Sequence, residues 1–134
     1  MTQLTTEELV QILHIALGEL RQDVEPGLLA SKILCLTATY NHPGTLQSEI
    51  TKYVKDLTPS AASRHIMDWS FRGKTLKPGD QPSGMEFIQQ QADPLYPRRN
   101  LLHMTPKGLQ YLSNLTDRVN EALQKRAVRS AKSA

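Results

Sequence analysis

Several common chemistries need residues that this 134-residue chain hardly has. Its single cysteine, Cys35, excludes an internal disulfide and any zinc site built on cysteines. At that position, in a largely apolar stretch, it reads as a small core residue rather than a reactive thiol. Aromatic residues make up 5% of the chain, too few for a surface that grips single-stranded bases by stacking. No apolar run approaches the roughly 20 residues that cross a bilayer as a helix. The opening MTQLTTEELV lacks the basic-then-apolar order of a secretory leader. The expectation is a cytoplasmic protein with no membrane partner. The four histidines, His14, His42, His65 and His103, show no metal-ligand spacing of the H-E-x-x-H kind. No glycine-rich phosphate loop is present, and no nucleophile can be matched to a base. An enzyme is not expected, nor a cofactor, nor a metal.

What remains is an ordinary globular composition, 39% hydrophobic and 22% charged, at a length suited to one domain with a real core. The net charge of +3 is unevenly spread. Residues 1–30 hold one base, Arg21, against five acids, whereas residues 31–134 hold fifteen bases against eight acids. Such asymmetry points the later part of the chain toward a polyanion and gives the first part another task.

Apolar residues recur at helical spacing over most of the chain. Residues 5–22 are expected to form a helix capped by Thr5 or Thr6, with Leu9, Ile12, Leu13, Ala16, Leu17 and Leu20 on a wide stripe. That width suits either packing within the chain or contact with a second chain. A second helix is expected from Pro26 to Tyr40, ended by Asn41-His42-Pro43-Gly44, and a third, short one from Thr45 to Lys55. The fourth is the most informative. Thr58 can cap it and Pro59 fits its first turn, where a missing N–H costs nothing. Ala62, Ile66 and Trp69 form its apolar stripe, while Ser60, Ser63, Arg64 and Met67 fall on the other side. Such a polar face is either simply solvated or able to approach phosphates and base edges. A short helix, a tight link and a second sharply started helix make a helix-turn-helix pattern.

Residues 70–84 read as a loop carrying Arg72, Lys74 and Lys77. Met85–Gln91 and Arg98–Met104 are expected to be strands joined at the tip DPLYP. Arg98 and Arg99 at that tip suit a minor groove or phosphates, or else protect a solvated edge. Thr105-Pro106 repeats the start seen at Thr58-Pro59. A last helix is expected from Pro106 to Arg126, striped by Leu109, Leu112, Leu115, Val119 and Leu123, with a disordered basic tail over 128–134.

This order resembles the winged-helix regulators of the MarR family. The resemblance is carried by TLQSEITKYVKDLTPSAASRHIMDW, with its Ser63-Arg64-His65 centre, and by RRNLLHMTPKGLQYL, with its Thr105-x-x-Gly108 junction. Two features depart from the family pattern. The link from the fourth helix to the hairpin is long, and Tyr96 stands where the family's Asp-x-Arg motif has its aspartate, Arg98 taking the arginine position. The resemblance implies a mainly α fold with a small β-hairpin: a winged helix-turn-helix over residues 1–127. In it, residues 1–25 and 106–127 would supply dimerisation helices and residues 26–104 a DNA-binding lobe. It further implies a homodimeric, double-stranded DNA-binding transcriptional repressor reading a palindromic operator, with a small-molecule effector of unknown identity. Ser60, Ser63, Arg64, His65, Met67, Arg72, Lys74, Arg98 and Arg99 would meet DNA. The alternative is a winged helix that binds protein, as an adaptor in a transcription or replication complex.

Overall fold

Thr5 and Glu8 start the first helix by capping each other. The Glu8 N–H donates to Thr5 Oγ1 (3.1 Å) and the Thr5 N–H to Glu8 Oε1 (3.3 Å). In the computed structural model, which describes residues 3–70 and 84–133, this helix is α1, Thr6–Asp23. It is followed by α2 (Ala30–Asn41), β1 (Thr45–Leu46), a 3₁₀ helix (Gln47–Lys52) and α3 (Pro59–Trp69). The hairpin strands β2 (Ile88–Ala92) and β3 (Asn100–Met104) and the long α4 (Pro106–Ser133) complete the order. Side chains of residues 128 and 130–133 are not described. No described helix is long and apolar enough to cross a membrane.

Three expectations are corrected, two of them by pairings that sequence periodicity does not register. The helix α2 begins at Ala30 instead of Pro26, because Pro26 and Gly27 are spent on a turn in which the Leu28 N–H reaches the Glu25 carbonyl (3.3 Å). The expected helix over Thr45–Lys55 starts as a strand. Gly44, at φ +81°, turns its N–H to the Leu102 carbonyl (2.8 Å), and Thr45 and Leu46 then pair with Leu102 and Leu101 of β3. The hairpin is therefore part of a three-stranded antiparallel sheet, ordered β1-β3-β2. Finally, α4 continues to Ser133 through the residues expected to be disordered. That segment lacks glycine and proline, and its alanine, lysine and arginine are strong helix formers.

The chain divides into two compact units, residues 1–28 with 111–134 and residues 29–110. In the first, Leu20 and Leu115 are buried, and Arg118 joins α4 to α1. Its guanidinium donates to Glu19 Oε2 (2.7 Å) and Asp23 Oδ2 (2.8 Å), and the Tyr111 hydroxyl also donates to Asp23 Oδ2 (2.8 Å). The Arg118 hydrogen bond, aided by that of Tyr111, holds the Asp23 carboxyl below its ordinary value of 3.8, and burial opposes the shift. Desolvation and the bond to Asp23 push the Tyr111 phenol up to about 12. The Asp23 contribution is therefore present above the unfolded carboxylate value and fades as pH falls through the lower folded value. Arg118→Ala is expected to lower the melting temperature at neutral pH, with the gap to wild type closing below about pH 4. A gap that stays constant through the acid range would separate Arg118 from Asp23 titration.

In the second unit the core is Cys35, Leu36, Ala38, Ile50, Val54, Ala62, Ile66, Trp69, Phe87, Ile88 and Leu102, all buried. Burial pushes the Cys35 thiol up to about 11, so it stays protonated at neutral pH and behaves as a small apolar side chain. The turn between the 3₁₀ helix and α3 runs through Asp56 at φ +60°, a left-handed conformation that aspartate tolerates better than most residues.

Candidate nucleic-acid interface

The two ends of α3 are held by different devices. At its start Thr58 Oγ1 accepts the Ala61 N–H (3.2 Å), and Pro59 occupies the first turn. At its end, three orphan carbonyls are met by the backbone entering the hairpin. The N–H groups of Met85, Glu86 and Phe87 donate to the carbonyls of Asp68 (3.1 Å), Ser70 (3.1 Å) and Trp69 (2.7 Å). This arrangement puts Glu86 in the left-handed region, at φ +61°. The same segment anchors the start of α4. Thr105 Oγ1 donates to the Glu86 carbonyl (2.6 Å) and accepts the Gly108 N–H (2.9 Å). Gly108 lies so close that a Cβ there would strike the Phe87 carbonyl. The Thr105-x-x-Gly108 junction is thus a cap plus a close backbone approach.

Ala62, Ile66 and Trp69 turn inward as their spacing predicts. The indole N–H of Trp69 donates to the Lys32 carbonyl of α2 (2.7 Å), and the buried Lys32 ammonium pairs with Asp68 Oδ2 (3.4 Å). Ser60 and Arg64 are exposed on the opposite face, and no described side chain pairs with the Arg64 guanidinium. Ser63 and Met67 are half-buried on the flank toward the hairpin. His65 does not join them. It is buried, and its Nε2 shares a hydrogen bond with Ser31 Oγ of α2 (3.0 Å). One residue before Ile66 and three after Ala62, it falls on the core flank of the helix, so the expectation that it meets DNA is withdrawn. Arg72 and Lys74, with Lys77, lie outside the described residues.

The hairpin tip is tightly cross-braced. The Asp93 N–H donates to the Arg99 carbonyl (2.9 Å), the Leu95 N–H to Asp93 Oδ1 (2.9 Å) and the Arg99 N–H to the Tyr96 carbonyl (2.8 Å). Asp93 therefore closes the turn instead of orienting an arginine. Tyr96 steadies an arginine through its ring: Arg99 lies 4.7 Å from the ring centroid. Arg98 is exposed beside it.

Between α3 and the hairpin runs an open cleft. One part, of about 250 Å³, has Ser48, Thr51, Ser63, Arg98 and Arg99 among its lining. An adjoining part, of about 650 Å³, has Met67, Gln89 and Gln90 in its walls, and Gln47, Ser63 and Asn100 border both parts. Gln90 Nε2 donates to Gln47 Oε1 (2.6 Å) across it. The structure thus brings Ser63, Arg98 and Arg99 to one opening. It also adds Gln47, Ser48, Thr51, Gln90 and Asn100, which the sequence reading missed. The run Gln89-Gln90-Gln91 on a strand was the available signal. Hydroxyls, amides and two guanidiniums converging on an open cleft can donate hydrogen bonds to phosphate oxygens and base edges. Among the described residues no group of histidine, cysteine, aspartate or glutamate could hold a metal. Over residues 29–110 the sequence has ten lysines and arginines against six acids, while the other unit has six against seven.

No protein-family model matches the chain, and no curated protein matches it. Solved structures do. A variant of MepR from S. aureus superposes with a TM-score of 0.63 at 16% identity, over 96% of this chain and 85% of that one. The PcaV transcriptional regulator from Streptomyces coelicolor gives 0.53 at 18% identity, over 98% of this chain and 100% of that one. PcaV in complex with its natural ligand gives 0.50 at 20% identity, over 100% of this chain and 99% of that one. At such identities the likeness is one of fold.

Proposed function

From the premise that the chain has the MarR-type winged-helix fold, we propose that it is a double-stranded DNA-binding transcriptional regulator. In this reading it is a repressor that binds a palindromic operator as a homodimer and has no catalytic role. The observation that carries the reading is the outer face of α3. Ser60 and Arg64 stand exposed there, and across the cleft beside Ser63 stand Arg98 and Arg99. A helix of this width fits a major groove. Ser60 and Ser63 would bond phosphates or base edges, Arg64 a base edge or phosphate, and Met67 a thymine methyl. Arg98 and Arg99 would reach phosphates or the adjacent minor groove. The excess of base over acid in residues 29–110 supports the same partner.

A second copy of the chain is part of the proposal. Leu9, Leu13 and Leu17 of α1 recur every fourth residue and are 45%, 49% and 41% exposed, with Leu4 and Val10 also open. A row of leucines left in water suits a matching row from a second copy. PcaV has been solved with a natural ligand, and the proposal includes control of this chain by a small-molecule effector.

Selection of bound duplexes from a random library tests the reading. A palindromic consensus should emerge. Its affinity should fall by orders of magnitude as salt rises from about 50 to 200 mM, as for a protein making several phosphate contacts. Sedimentation should give about twice 15.0 kDa. A strict monomer at micromolar concentration would remove the dimer. A co-purifying protein without salt-sensitive duplex binding would favour the adaptor.

A further inference from the structure

We propose that Leu95 is a wedge: on a bound duplex the hairpin tip drives its side chain between two base pairs from the minor groove and kinks the DNA there. The inference rests on the DNA-binding reading above and goes beyond it. Leu95 is 82% exposed, more than any other large hydrophobic residue among those described. A lone exposed leucine is ordinary on a protein surface; its setting here is not. It stands between Pro94 and Pro97, whose rings fix two backbone torsions. Its own N–H is tied to Asp93 Oδ1, the Arg99 N–H to the Tyr96 carbonyl, and the Arg99 guanidinium to the Tyr96 ring. The tip is therefore rigid before anything binds, and inserting its leucine orders little further.

The charge around the leucine selects the occupant. Arg98 and Arg99 follow it closely and are exposed, whereas the nearest acid, Asp93, is engaged in the turn. A cationic tip carrying one apolar side chain matches the minor groove, whose walls are phosphates and whose floor is stacked bases. The same arginines line the cleft that opens on Ser63 of α3, so the tip continues the DNA-facing surface. With α3 in a major groove, the hairpin meets the neighbouring minor groove, about half a helical turn of roughly 10 base pairs away. A leucine inserted there partly unstacks one step and bends the duplex toward the major groove, which brings more backbone to the basic surface. Pyrimidine–purine steps unstack most easily, so the operator should place TA or CA at the position the tip meets.

The test uses the full chain and the duplex recovered by random-library selection, with 2-aminopurine replacing each adenine in turn. Wild type should brighten the probe severalfold at one step per half-site. Energy transfer between dyes on the duplex ends should report a bend. Leu95→Ala should abolish both signals while binding within about tenfold of wild type, because leucine burial and base unstacking nearly offset each other. Leu95→Met, which keeps an apolar side chain of similar size, should retain both. Equal brightening by Leu95→Ala, or a wild-type protein that binds tightly and brightens no step, would overturn the wedge and leave the DNA-binding reading standing. Failure to recover any duplex would overturn both.

Discussion

Arg64→Ala is expected to weaken binding of the selected duplex by about ten- to a hundredfold, the range of one good base contact worth roughly 1–3 kcal/mol. The size follows from where the side chain sits. Arg64 lies on the outer face of α3, opposite Ala62, Ile66 and Trp69, and no described group competes for its guanidinium. Removing it therefore leaves no buried charge behind, and the folded unit should be unaffected. Titrations at several salt concentrations, repeated on duplexes altered one position at a time, show which group the arginine meets. A base contact appears as lost discrimination at one position, a guanine being the base whose edge a guanidinium matches. A phosphate contact appears as a uniform loss with a shallower salt slope. Unchanged affinity in a folded variant would remove α3 from the interface and the proposed function with it.

Trp69→Ala carries the largest expected effect on stability, a loss of about 3–5 kcal/mol, against the 5–15 kcal/mol that holds a typical domain folded. Trp69 is fully buried and ties α3 to two neighbours, Phe87 and Lys32 of α2. Its ring stacks on Phe87 at 5.8 Å, its N–H donates to the Lys32 carbonyl of α2, and the Lys32 ammonium lies 5.3 Å from its ring centroid. Truncation leaves a cavity under α3 and removes the ring beside the Lys32 ammonium, which keeps its ion pair with Asp68. Trp69→Phe should cost less, since it keeps most of the apolar volume and loses chiefly the hydrogen bond, about 1 kcal/mol. Urea unfolding followed by far-ultraviolet circular dichroism separates the three proteins. Trp69→Ala within about 1 kcal/mol of wild type would show that the core closes over the gap.

The elements built on local rules were legible in the sequence. The residue pairs Thr58-Pro59 and Thr105-Pro106 mark the starts of α3 and α4, and the stripe Ala62, Ile66, Trp69 assigns the inward face of α3. Each of these depends on residues within a turn or two of one another, where capping, proline geometry and helical period act. The hairpin was legible too, from two short runs around a proline-bracketed tip, although its strands begin two or three residues later than the runs do.

What the sequence left open turned on partners far along the chain. His65 was expected at DNA only through the resemblance of Ser63-Arg64-His65 to the MarR-family centre. Ser31, more than thirty residues earlier, decides that it faces α2. Thr45 and Leu46 look like the start of a helix until Leu101 and Leu102 pair with them. How Tyr96 and Asp93 act at the hairpin tip is not written in their spacing from Arg98. The folded tip shows Tyr96 bracing Arg99 and Asp93 closing the turn. By itself, then, the sequence determined the order of α1, α2, α3, the hairpin and α4, the apolar face of α3 and the basic character of residues 29–110, because period, caps and charge are written locally. The tertiary structure alone decided which polar side chains reach the cleft and how the ends of α3 and the tip are braced. Those depend on backbone and side-chain partners that only folding brings within hydrogen-bond distance.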